Sequence, residues 1–399
     1  MIRAFLAGAC TAAIGIPAAL GAGNYGPGVT DTEIKIGQTA PFSGAASAYS
    51  AIAKAEAAYF AMVNEQGGVN GRRIKLITLD DGYSPPKTVE QTRRLVEEDQ
   101  VLLIFNTIGT AASSAVQKYL NSRGVPQLFV ASGASKWNDP QHYPWSMGWQ
   151  LSYYSEGRAY AKYALSVRPN AKIGVLYQND DYGKDYLRGI RDGAGEPNAR
   201  AIVAEISYEA SDPSVDSQIV SLKASGADVF IDIATPKFAA QVIRKAADID
   251  WHPMHLLNTP AASVAATFKP AGMERSAGII NAAFLKDPAD PSWRDDAGVN
   301  AWRAWMKQYL PDADPADAFN VYGYTLAQTL VEVLKRCGND LTRESVMRKA
   351  ATLNELELPM LLPGIRLSTS ATDFLPVKKL QMRRFDGARW VPFGGVMTP

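Results

Sequence analysis

The sequence predicts an α/β protein made of two doubly wound, parallel-sheet lobes. Short apolar strands alternate with helices of about ten residues or more, the pattern of parallel strands covered on both faces. Two such series are separated by an irregular stretch, residues 137–155. The first strand also breaks at Pro41 into the small-residue loop 42–47, with a long amphipathic pattern beginning at Tyr49. A strand–loop–helix corner of this kind presents free backbone N–H groups to an anion.

In chain order, residues 34–40 read as a strand and 49–65 as a helix stopped by Gly67-Gly68. The Asn70-Gly71 turn leads to a strand at 73–80. Ser84-Pro85 then opens a helix to residue 98, with Ser as N-cap and Pro in the first turn. Strand 101–105, helix 113–122 and strand 125–130 complete the first series. The second has helix 156–167, strand 173–177, helix 184–193, strand 201–206, helix 214–225, strand 227–233, helix 238–248 and strand 254–257. The last third is less regular: strand 278–284, helices 293–309, 317–336 and 343–353, and a closing hairpin at 378–385 and 390–393 through Asp386-Gly387.

The 399 residues suffice for two ordinary domains. With 47% hydrophobic and 20% charged residues the composition is globular. A net charge of +1, without a basic run, argues against a nucleic-acid partner. Residues 1–22 read as a signal peptide: Arg3, an apolar stretch to Leu20, and small residues for cleavage. That predicts export to the periplasm. Leu6-Ala7-Gly8-Ala9-Cys10 loosely resembles a lipoprotein signal, but the apolar run before Cys10 is too short and continues past it. No later stretch approaches ~18 consecutive apolar residues. Removal of the leader leaves Cys337 as the only cysteine, which excludes an intramolecular disulfide and a cysteine zinc site.

Ligands of parallel sheets sit at the carboxyl ends of the strands. In the first series those ends are small and hydroxylic: Ser43, Thr107, Thr110, Ser113, Ser132, Gly133 and Ser135. The approaches to the second are aromatic: Tyr153, Tyr154, Tyr177, Tyr182 and Phe238. The expectation is one wall of hydroxyls and N–H groups facing a wall of rings. Singly, such residues are N-caps and core aromatics; their joint placement points to a binding cleft. Catalytic patterns are missing. There is no G-x-S-x-G elbow, H-E-x-x-H or Walker A sequence. Pro253 interrupts the spacing of His252 and His255, Gly21–Gly26 matches G-x-G-x-x-G without a preceding strand, and Asp80-Asp81 reads as a solvated turn. A hydrolase using Ser132 lacks a positioned histidine, so the chain is read as a non-enzyme without cofactor or metal.

Four stretches, IKIGQTAPFSGAASAY, AEAAYFAMVNEQGGVNGRRIKLITLDDGYSPPKTVEQTRRLV, VASGAS and YQNDDYGKDY, resemble the Leu/Ile/Val-binding-protein-like substrate-binding proteins of ABC transporters, of the type I periplasmic fold. The resemblance spans the whole mature chain. It implies two lobes joined by three hinge crossings, here 33–150 with 283–365 and 151–282 with 366–399. It also implies an ABC permease as partner and a monomer. By position it places Tyr49 in the cleft and a ligand carboxylate at Thr110 and the backbone of Ala111–Ser113. Gly133 and Ser135 match the second part of this carboxylate and amine cradle, and Tyr182 matches a cleft aromatic of the second lobe.

Around Thr235 and Pro260 the chain departs from the family pattern, which places an aromatic near the first and an acid near the second. Residues 258–263 contain no Asp or Glu; Asp232 and Glu205 are the acids that would otherwise reach in. A buried ammonium without its counter-charge costs several kcal/mol, and about 3 kcal/mol is on the order of a hundredfold in affinity. A ligand with only a carboxylate loses nothing there. Tyr153 adds a ring whose burial, ~150 Å², contributes roughly 4 kcal/mol. The expected ligand is therefore a carboxylate with an apolar, aromatic body, with branched-chain amino acids second. A ligand sensor on the same fold is the alternative role.

Overall fold

The computed structural model describes residues 23–399; the expected signal peptide, residues 1–22, lies outside them. The first lobe is laid down by β1 (Asn24–Tyr25), β2 (Glu33–Ala40), α1 (Ser50–Glu65), β3 (Arg73–Asp80), α2 (Pro85–Glu97), β4 (Leu103–Phe105), α3 (Thr110–Ser122), β5 (Gln127–Val130) and β6 (Ser146–Gly148). The second continues with α4 (Tyr153–Val167), β7 (Ile173–Gln178), α5 (Asp181–Ala194), β8 (Ile202–Tyr208), α6 (Asp216–Ala224), β9 (Val229–Ile233), α7 (Pro236–Asp248), β10 (Met254–Leu257), α8 (Lys269–Ala271) and β11 (Ile280–Ala283). The chain then forms α9 (Ala297–Tyr309), α10 (Ala318–Cys337), β12 (Asp340–Leu341) and α11 (Arg343–Ala350), and closes with β13 (Leu380–Phe385) and β14 (Trp390–Met397).

The two sheets share one topology. The first runs β3-β2-β4-β5-β6, all parallel. The second runs β8-β7-β9-β10-β11, all parallel, extended by β13 and β14 as an antiparallel pair on β11. In each, the first strand of the series lies second in the sheet, so the strand order reverses between β2 and β4 and again between β7 and β9. Crevices for ligands open at such reversals. Strands β4, β5 and β9 are buried along their full length, which is why they read as continuous apolar runs rather than alternations.

The chain crosses between lobes three times: from β6 to α4, after β11, and before β13. After the second crossing α10 packs on α1 of the first lobe, and after the third β13 pairs with β11 of the second. Both doubly wound lobes and the three crossings stand as expected. Boundaries moved in places. The helix expected at 113–122 begins at Thr110, and β6 lies inside the stretch read as irregular. Asp80-Asp81 is only half a solvated turn: Asp80 accepts from the Phe42, Ser43 and Gly82 N–H groups, while Asp81 is buried and accepts from Tyr83 N and Thr88 Oγ1.

Candidate ligand cleft between the lobes

Both sheet reversals open onto one cavity, with about 970 Å³ of atom-free space counting its mouth. Tyr49, following β2, and Gly109 with Thr110, following β4, come from the first lobe. Tyr182, following β7, and Thr235, following β9, face them from the second. Tyr153 and Pro260 complete the part of the wall that the sequence anticipated.

Gly109 shapes the first-lobe corner for two reasons. Its φ of 99° lies where only glycine rests without strain, and a Cβ there would meet the Tyr83 ring at 2.4 Å. That turn starts α3 without a side-chain cap, so first-turn N–H groups lack a side-chain acceptor where Gly109 and Thr110 meet the cavity. The Thr110 Oγ1 and Ser132 Oγ lie 2.7 Å apart, a buried hydroxyl pair beneath this turn.

The remaining anticipated residues are not on the cavity wall. Ser43 donates to Asp80 Oδ2 at 2.6 Å, on the exposed side of its loop. Ser113 donates to the Thr107 carbonyl at 3.1 Å within its own lobe, and Ala111, in the first turn of α3, does not line the cavity. Gly133 lies under Tyr153, whose N–H donates to the Gly133 carbonyl at 2.8 Å. Ser135 spans the lobes instead: its N–H and hydroxyl both donate to Asp185 Oδ2, at 2.9 and 3.0 Å.

Rings line both walls, which corrects the picture of hydroxyls facing aromatics. Tyr83, Phe319 and Tyr322 join Tyr49 from the first lobe, and Phe284 lines the hinge end. Tyr49 packs edge-on against Phe319 at 5.1 Å. On the other side Tyr153 stacks on Tyr186 at 4.6 Å and meets Tyr182 edge-on at 5.2 Å. Gln150 bridges the lobes, donating to the Tyr153 hydroxyl at 2.7 Å and accepting from that of Tyr322 at 3.1 Å. Burial holds the Tyr49, Tyr182 and Tyr322 hydroxyls well above the ordinary phenol range, so they stay protonated donors. None of the lobe I rings beyond Tyr49 was anticipated; Phe319 and Tyr322 stand three apart on a helix whose first half is buried nearly all round, so no polar stripe singled them out.

The acid missing near Pro260 has a replacement that does not reach the ligand space. Glu156, fully buried, accepts from Tyr160 and Tyr186 hydroxyls and from the Thr259 N–H at 2.7 Å each, and from Thr259 Oγ1 at 2.9 Å. Burial raises its pKa while these bonds pull it back. Its work is to hold the 259–262 turn. Asp232 is held by His255 at 3.3 Å and Glu205 by Arg191, so neither extends into the cavity. Asp287, at the hinge end, is the one carboxylate on the wall among the described residues.

The lobes are closed in this conformation. Tyr49 reaches Pro260, Lys136 pairs with Asp181 at 3.1 Å, Ser263 donates to Asp317 at 2.8 Å, and Lys269 pairs with Asp314. The family model for periplasmic binding proteins matches residues 33–388. The chain belongs to that family. The motif resemblance is thereby confirmed at the level of family and fold. A Leu/Ile/Val-binding protein homolog 7 of Brucella abortus is 20% identical over 328 residues, 78% of this chain and 79% of that one. A solved branched-chain amino acid ABC transporter protein of Thermus thermophilus with bound valine superposes with a TM-score of 0.83 at 16% identity, covering 93% of this chain and 98% of that one. A fatty acid ABC transporter substrate-binding protein of Thermomonospora curvata gives 0.78 at 24% identity, covering 94% and 95%. Among the described residues no helix is long and apolar enough to cross a membrane.

Proposed function

We propose that this chain is a periplasmic solute-binding protein that captures a small carboxylate with an apolar, aromatic body and delivers it, as a monomer, to an ABC permease. The carrying observation is the composition of the cleft. Its wall is apolar and aromatic on both sides, with an uncapped helix start at Gly109–Thr110 and no acid at the Pro260 corner. The α3 N–H groups suit the carboxylate, and Tyr49, Tyr153, Phe319 and Tyr322 suit a flat body. Closure follows from differential affinity, because a ligand touches both walls only when the lobes meet.

Branched-chain amino acids form the second reading, favoured by what the Brucella and Thermus relatives are named for or hold. They require an ammonium acceptor, and Asp287 is the carboxylate available for it. A thermal-shift screen of the mature protein, unfolded and refolded to strip carried ligand, separates the two. Benzoates and cinnamates raising the melting temperature, with leucine and valine inert, is the expected result. Stabilisation by the amino acids alone overturns it. Uptake of the labelled ligand by cells with and without this chain separates transport from sensing.

A further inference from the structure

Arg383 of β13 lines the hinge end of the cavity, remote in the sequence from every anticipated site residue. It is only 9% exposed. Its Nε donates to Asn281 Oδ1 at 2.8 Å, and its guanidinium lies over the Trp390 ring at 4.4 Å. No carboxylate stands within ion-pair distance of it among the described residues; Asp287 and the buried Glu156 act on it only from farther away. The neighbouring cation is already neutralised, since Lys286 pairs with Asp296 at 2.7 Å. A buried cation without a contacting counter-charge is costly, and burial lowers this guanidinium to about 10 without discharging it at neutral pH. The ring below and Asn281 beside fix its plane, leaving the terminal N–H groups as a preset fork for an oxyanion.

The start of α3, with Gly109 and Thr110 following β4, lines the same cavity from the first lobe. We infer that Arg383 is a second anion subsite, and that the ligand is an elongated diacid with an acidic group at each end of an apolar body. This inference rests on the carboxylate reading above and narrows its ligand class.

The test is calorimetric titration of matched pairs, benzoate against terephthalate and heptanoate against heptanedioate, into wild type and Arg383→Gln. The expected result is that at least one diacid binds tenfold or more tighter than its monoacid, and that the preference falls to within twofold in Arg383→Gln. Arg383→Lys, which keeps the charge without the fork, should retain part of the preference and serves if Arg383→Gln does not fold. Monoacids binding as tightly as diacids, or a preference indifferent to Arg383, overturns the subsite and leaves the carboxylate reading standing. Silence from all four acids overturns the subsite; with the benzoate and cinnamate screen also blank, the carboxylate reading falls as well.

Discussion

The hydroxyl of Tyr49 donates across the cleft to the carbonyl oxygen of Pro260 at 3.2 Å. Tyr49 comes from the loop after β2 and Pro260 from the turn after β10, so the bond exists only when the lobes are shut. The turn that offers this carbonyl is itself held by Glu156 through the Thr259 N–H and hydroxyl. The interior of the second lobe thus sets the geometry of closure.

Tyr49→Phe keeps the ring against Phe319 and removes the bond. A hydrogen bond of this kind contributes about 1 kcal/mol net, so affinity should fall roughly fivefold. Titration calorimetry on whichever ligand binds reads the change. An unchanged dissociation constant means that this bond plays no part in closure.

Asp185 should behave as a latch rather than a wall. It accepts two bonds from Ser135 across the cleft and pairs with Arg188 on its own helix. Asp185→Ala is expected to weaken every ligand by about the same factor, on the order of tenfold, since two interlobe bonds go. A ligand-dependent effect contradicts this assignment.

Gly133 is constrained by space. A Cβ there would meet the Leu151 carbonyl oxygen at 2.0 Å and the Tyr153 ring at 2.8 Å. Gly133→Ala must displace the Leu151 backbone and with it the Tyr153 ring stacked on Tyr186, with about 1–3 kcal/mol of destabilisation typical of overpacking. Denaturant titration should show that loss together with weaker ligand binding. Full stability with normal binding contradicts the packing given for Tyr153.

Asp317 gives a pH dependence with a definite sign. Burial first, opposed by the Phe319 N–H and Ser263 bonds, pushes its pKa from 3.8 up to about 6. The folded state therefore binds the proton more tightly than the unfolded chain. Its contribution to stability is complete below about pH 4 and is lost as pH rises through about 6. Asp317→Asn keeps the acceptor for Ser263 and cannot ionise. It should be more stable than wild type at pH 7.5, by about 3 kcal/mol, with the difference vanishing near pH 4. Equal stability at both pH values contradicts the shift.

The fold was legible because each strand and helix of the two series declares itself locally, by apolar runs and by starts such as Ser84-Pro85. Strand β6 was not, because Ser146–Gly148 is three small or flexible residues following a Trp/Pro-rich loop. The site was legible only where position in the topology fixes it: Tyr49, Thr110, Tyr182 and Thr235 follow the strands flanking the two reversals. Ser43, Ser113 and Ser135 share the composition of site residues, but their hydroxyls are taken by Asp80, Thr107 and Asp185. Phe319, Tyr322 and Arg383 reach the cavity through hinge crossings. Their placement depends on how distant segments meet, which no local pattern records.

The most direct test of the cleft reading is titration calorimetry of refolded protein with p-coumarate and leucine side by side. Micromolar or tighter binding of the aromatic acid and none of leucine is expected, because no carboxylate lines the cavity at the Pro260 corner among the described residues. Tight leucine binding with no response to the aromatic acid would contradict it, and would assign the ammonium to Asp287.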